Sequence, residues 1–153
     1  MIDTYIGRNI HGQISIISGS NHAIISFNMK FTTCLNCIDG RAQLPAINWI
    51  IDNYAVKYVD MITEPGMDGL LAEKPLNELS EILKKIDTSI RVQETEEIFV
   101  VAHHDCIANP VDQRTHREHV MKSVERLKEL KPAMKIIGIW IDSNLAAHKI
   151  TEE

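Results

Sequence analysis

A chain of 153 residues has the length of one domain and is too short for two of ordinary size. Hydrophobic residues at 44% and charged residues at 24% match a globular composition and argue against disorder. With 16 Lys and Arg against 21 Asp and Glu, the formal net charge of −5 gives no general attraction for a phosphate backbone, so no nucleic-acid partner is expected.

The first five residues, Met1-Ile2-Asp3-Thr4-Tyr5, lack the basic start and apolar run of a secretion signal. Residues 9–29 carry no charge, but Asn9, His11, Gln13, Ser15, Ser20, Asn21 and Ser26 interrupt them too often for a membrane span. The three cysteines, Cys34, Cys37 and Cys106, are an odd set without an export signal, which favours reduced thiols with metal or catalytic duty. The expectation is a soluble, cytoplasmic protein without a membrane partner. It forms a single domain over residues 1–153, in which residues 1–29 are the hardest to assign. Within them, residues 14–17, the turn-like 18–21 and residues 23–27 suggest a hairpin.

Residues 30–33 read as the end of a strand running into Cys34-Leu35-Asn36-Cys37-Ile38-Asp39-Gly40-Arg41. Leu44, Ile47, Ile50, Ile51 and Tyr54 then recur at spacings that predict an amphipathic helix. Residues 56–62 predict a strand ended by Glu64-Pro65-Gly66. Leu76, Leu79, Ile82, Leu83, Ile86 and Ile90 mark a second helix, with Pro75 near its start. The continuously apolar 98–102 is a buried strand of the parallel kind, and it leads straight into His103-His104-Asp105-Cys106. A third helix over residues 114–130 turns Val120, Val124 and Leu127 inward, and the run 135–141 is a last strand. Strands alternating with helices predict an α/β fold, a mainly parallel β-sheet flanked by helices on both faces. In such sheets ligands bind beyond the carboxyl ends of the strands, where both polar clusters, 37–41 and 103–106, fall.

Thiolates and imidazoles are the donors zinc prefers, and a catalytic zinc takes three protein ligands and leaves one position open. His103 and Cys106, three residues apart, can aim at one ion from a turn, and Cys37 at the end of another strand can supply the third ligand. Asp39 and Arg41 follow closely enough to pair beside the open position.

Cys37-Ile38-Asp39-Gly40-Arg41 resembles the Cys-x-Asp-x-Arg motif of β-class carbonic anhydrases. Val100-Val101-Ala102-His103-His104-Asp105-Cys106 is similar to that family's strand followed by His-x-x-Cys, and Gly138-Ile139-Trp140-Ile141-Asp142 to its terminal strand. The likeness covers roughly residues 30–142. It implies that Cys37, His103 and Cys106 bind Zn2+, that Asp39 accepts a hydrogen bond from the zinc-bound water or hydroxide, and that Arg41 holds Asp39 ionised and oriented. In some members the aspartate closes the zinc sphere, so Asp39 is a possible fourth ligand. The implied activity is that of a lyase, the reversible hydration of CO2 to bicarbonate, in a homodimer or higher homo-oligomer. The chain departs from the family pattern at Ala102 and Ile107, where glycines are usual, and at Thr63-Glu64-Pro65-Gly66, where Arg-Asn-Ala-Gly is usual.

Other readings stand beside this one. The same zinc chemistry would suit another small electrophile such as COS or CS2, and a non-catalytic domain could hold a structural zinc. Cys34 and Cys37 form a Cys-x-x-Cys that could be a redox pair or complete a closed site with His103 and Cys106. Against the closed site, a strand continuing to Cys37 would put the two thiols on opposite faces. His104 could shuttle protons but is expected to face solvent or hydrogen-bond locally. Glu64 is a candidate cleft residue. Asp105 and Asn109 are candidate caps of the following helix. His116 and His119 are expected on an exposed helical face with no specific role, and His11, His22 and His148 have no constellation around them.

Overall fold

The computed structural model describes residues 30–150, together with the backbone of two earlier segments, β1 (Thr4–Arg8) and β2 (Ile14–Ser18). These two pair antiparallel, with Thr4 opposite Ser18. The strand predicted at 14–17 is present, but it pairs with the chain before it. Residues 23–27, its expected partner, lie outside the described residues, as do His11 and His22.

From residue 31 the chain alternates as predicted. It runs through β3 (Phe31–Cys37), α1 (Gly40–Asn53), β4 (Tyr58–Glu64), α2 (Met67–Glu73), α3 (Ser80–Gln93), β5 (Glu97–His103), α4 (Gln113–Leu130), β6 (Lys135–Ile141) and β7 (Ala147–Ile150). The strands form one sheet in the order β4-β3-β5-β6-β7, parallel except for β7, which returns antiparallel along β6. Strands β5 and β6 are central and covered on both faces, so their runs of Ile, Val and Phe alternate between two cores.

On one face Leu35, Ile98, Val100 and Ala102 meet α2, α3 and α4 through Met67, Leu71, Ile82, Ile86, Val120 and Val124. On the other, Cys34, Phe99, Val101, Ile137 and Ile139 meet α1 through Ala42, Ala46 and Ile50. This corrects the predicted face of α1: Leu44 and Ile51 are exposed, and two alanines face the sheet. Small side chains at 42 and 46 let the helix lie close to the strands, where larger ones would force it away.

Other boundaries shift for local reasons. Strand β4 begins two residues later than the pattern suggested, and α3 starts at Ser80 after a turn in which Glu78 N–H bonds the Pro75 carbonyl. Helix α4 is capped by Asp112, whose carboxylate accepts the Thr115 N–H at 2.8 Å, so neither Asp105 nor Asn109 is the cap. Helix α2 and strand β7, seven and four residues long, were not predicted, being too short to show a period. No helix among the described residues is long and apolar enough to cross a membrane.

Candidate metal centre

The chain leaves β3 for β4 on one side, then crosses back to form β5 on the other side of β3. At such a reversal the loops beyond neighbouring strand ends diverge and leave a crevice. Cys37 is the last residue of β3 and His103 the last of β5. Cys106 follows in a tight turn in which Asp105 takes a left-handed backbone, φ 56°.

The ligating atoms of Cys37, His103 and Cys106 all lie within 4.8 Å of one another, and all three side chains are buried. The two sulfurs are 3.8 Å apart. Thiolates at about 2.3 Å from one tetrahedral zinc would stand about 3.8 Å apart. His103 Nδ1 donates to the His104 carbonyl at 2.9 Å, which leaves Nε2 as the bare acceptor; it is buried and has no hydrogen-bond partner. A buried polar atom without a partner is costly, and a cation shared with two thiolates is the partner this donor set suits. The residues present therefore fit a zinc ion. Asp39 lies outside the group of three, and no fourth His, Cys, Asp or Glu joins it among the described residues.

Neighbouring groups prepare the two sulfurs. The Gly66 N–H donates to Cys37 Sγ at 3.4 Å. Asn36, fully buried, accepts the Cys37 N–H at 2.8 Å and donates to the Ala42 carbonyl, fixing the strand end against α1. Burial pushes the Cys106 thiol up to about 11, with Cys37 adding to the rise and the N–H groups of Asn109 and Ala108 opposing it. A metal entering here therefore displaces protons.

Asp39 caps α1 and is gripped by the residue that follows Gly40. Arg41 donates from its backbone N–H at 2.9 Å, from Nε at 3.0 and 3.2 Å, and from a terminal nitrogen at 2.6 Å. The Arg41 guanidinium holds the Asp39 carboxyl down at about 2. Arg41 also donates to the Asp105 carbonyl at 3.3 Å, tying the turn after β3 to the turn after β5. A cavity of about 50 Å³ opens here, lined by Arg41, Ala42, His103, His104, Asp142 and Leu145.

The other candidates separate clearly. Cys34 is fully buried between the sheet and α1, away from the cluster, because the strand does continue through Cys37 and alternation divides the two thiols. Burial raises its thiol far above the ordinary range. Glu64 pairs with Lys85 of α3 at 2.9 Å. His148 has a partner after all, Asp142, at 2.8 Å. His104 is exposed and borders the small cavity. His116 overturns its expectation: it is 1% exposed and donates from Nδ1 to Asp68 at 2.6 Å. Around the site Asp68 was missed, while Gly66 was read only as part of a strand end and Asn109 only as a candidate helix cap. A Pro-Gly pair directly after a strand end was the one local signal for Gly66, and nothing local marked Asp68.

Solved structures share this architecture and give the class, a β-carbonic anhydrase-like α/β fold. A carbonic anhydrase from Glaciozyma antarctica aligns with a TM-score of 0.52 at 16% identity, over 78% of this chain and 81% of that one. A structure from a study of two tetrameric β-carbonic anhydrases of the ascomycete Sordaria macrospora aligns with a TM-score of 0.56 at 10% identity, covering 81% and 82%. The apo form of a carbon disulfide hydrolase also aligns with a TM-score of 0.56, at 13% identity, covering 82% and 80%. No curated protein matches the sequence. The sequence profile of the family described as "Putative carbonic anhydrase" matches residues 27–151, and the chain belongs to that family.

Proposed function

We propose that the protein is a zinc lyase that reversibly hydrates CO2 to bicarbonate. The observation that carries this reading is the partnerless, buried Nε2 of His103 in a cluster with two sulfurs 3.8 Å apart. Cys37, His103 and Cys106 would hold the ion, and it would supply, when bound, the acidity that makes water a nucleophile near neutral pH. Asp39, kept ionised by Arg41, would accept a hydrogen bond from that water and so hold it in one orientation. Hydration of CO2 to bicarbonate releases one proton, which would leave to solvent. Arg41 and the small cavity beside His103 suit a molecule of a few atoms.

We further propose a single domain over residues 1–153, acting in the cytoplasm as a homodimer or higher homo-oligomer, without nucleic-acid or membrane partners. The relative whose printed description is tetrameric supports the assembly. A second reading keeps the site and changes the electrophile to COS or CS2, supported by the likeness to a carbon disulfide hydrolase. A closed structural zinc lacks its fourth protein ligand among the described residues.

Zinc stoichiometry and stopped-flow CO2 hydration on one purified sample test the proposal, with COS assayed in parallel. One zinc per chain with rapid hydration is the expected result. One zinc with turnover of COS alone moves the assignment to the second reading, and a metal-bound protein inert toward both overturns the enzyme.

A further inference from the structure

Helix α2 brings a buried carboxylate beside the metal centre that the reaction itself does not use. Asp68 is 2% exposed, and its Oδ2 accepts from His116 Nδ1 at 2.6 Å and from Asn109 Nδ2 at 2.9 Å. The same Asn109 nitrogen lies 3.2 Å from His119 Nδ1, so its second amide hydrogen also has an acceptor. With both hydrogens engaged, the Asn109 side chain cannot rotate without losing a bond. It is also wedged over α2: a Cβ on Gly69 would lie 2.8 Å from the Asn109 side chain, and one on Gly66 would lie 3.0 Å from its Cβ.

Asn109 in turn closes the loop that carries Cys106. Its N–H donates to the Cys106 carbonyl at 3.3 Å. The residue two before Asp68, Gly66, supplies the N–H on Cys37 Sγ. One short segment therefore braces both sulfurs, directly at Cys37 and through Asn109 at Cys106.

We propose that Asp68 is a positioning residue for the metal centre: held by His116, its carboxylate fixes Asn109 and thereby the turn that presents Cys106. This rests on the reading of Cys37, His103 and Cys106 as ligands. Groups that orient ligands in this way commonly change metal affinity by roughly 10- to 100-fold when removed.

The test is Co2+ titration of the metal-stripped full chain, following the tetrahedral ligand-field bands and the thiolate-to-cobalt charge-transfer bands. Circular dichroism checks that each variant is folded at the temperature used. Asp68→Asn keeps an oxygen for both donors and should stay close to wild-type affinity. Asp68→Leu, of similar shape without an acceptor, and Asn109→Ala should each weaken cobalt binding by roughly 10- to 100-fold and diminish the charge-transfer bands. Since both act along one route, the double variant should be no weaker than the worse single variant. If Asp68→Leu does not fold, Asn109→Ala decides. A folded Asn109→Ala with wild-type affinity and spectrum overturns the proposal, as do additive effects in the double variant. A wild type that takes up no cobalt with thiolate bands overturns the ligand assignment itself.

Discussion

Asp39 accepts from Arg41 through the backbone N–H and two guanidinium nitrogens, and its carboxyl is held at about 2. Because this lies below the ordinary carboxylate value of 3.8, the pair stabilises the fold above that pH and loses its effect as pH falls toward 2. The stability difference between wild type and Asp39→Asn, measured by urea unfolding, should be flat from pH 7 to about 4 and shrink below it. Arg41 is half exposed, so solvent screening keeps the difference small. In the proposed CO2 hydration the same variant should still take up zinc and lose roughly 100-fold or more in kcat. Cys106→Ser should lose metal and activity together. Cys34→Ala should keep a full complement of metal and lose only packing, about 1 kcal/mol in unfolding free energy. At this scale the spacing of Cys37, Asp39, Arg41, His103 and Cys106 was legible, since each lies beside a strand end. His116 was not, because a polar residue on a helix reads as solvent-facing. Its partner, Asp68, arrives from 48 positions earlier in the chain.

Among the elements, α2 matters out of proportion to its length. Gly66 precedes it at φ 61°, and a Cβ there would sit 3.0 Å from the Ala108 carbonyl oxygen. Gly66→Ala should therefore cost about 1–3 kcal/mol and weaken metal binding, since the strained backbone carries the N–H on Cys37. Equilibrium unfolding and cobalt affinity read the two effects separately. Between β6 and α4, Gly138 plays a packing role: an added Cβ would meet Val120 at 2.7 Å, so Gly138→Ala should separate helix from sheet. The long helices were readable from their periods, α4 to within a residue. The face of α1 was not, because periodicity weighs large apolar residues, whereas this helix approaches the sheet on Ala42 and Ala46. Strand β7 was missed because its pairing with β6 follows a turn built on Asp142, which accepts the N–H groups of Asn144 and Ala146.

For the whole molecule, the order of strands and helices was enough to predict a mainly parallel sheet with ligands at its carboxyl ends. The strand order was not available from sequence, and it is what brings 37 and 103 together. The reversal between β3 and β5 has a topological consequence. Everything between the two sulfurs, including β4, α2 and α3, is a loop of 69 positions whose ends a shared ion would clasp. An ion bound by the folded chain alone, at about 1,000 times its dissociation constant, stabilises the fold by about 4 kcal/mol. Chelation should therefore lower Tm by roughly 10 °C. Hydrogen exchange should accelerate first in the turns 64–66 and 104–109, where the clasp is fastened, while the centres of β5 and β6 stay protected. In that sense the ion would act as a knot in the chain as well as the proposed reagent, and the protein would lose both the reagent and the fastening of its crevice in one event.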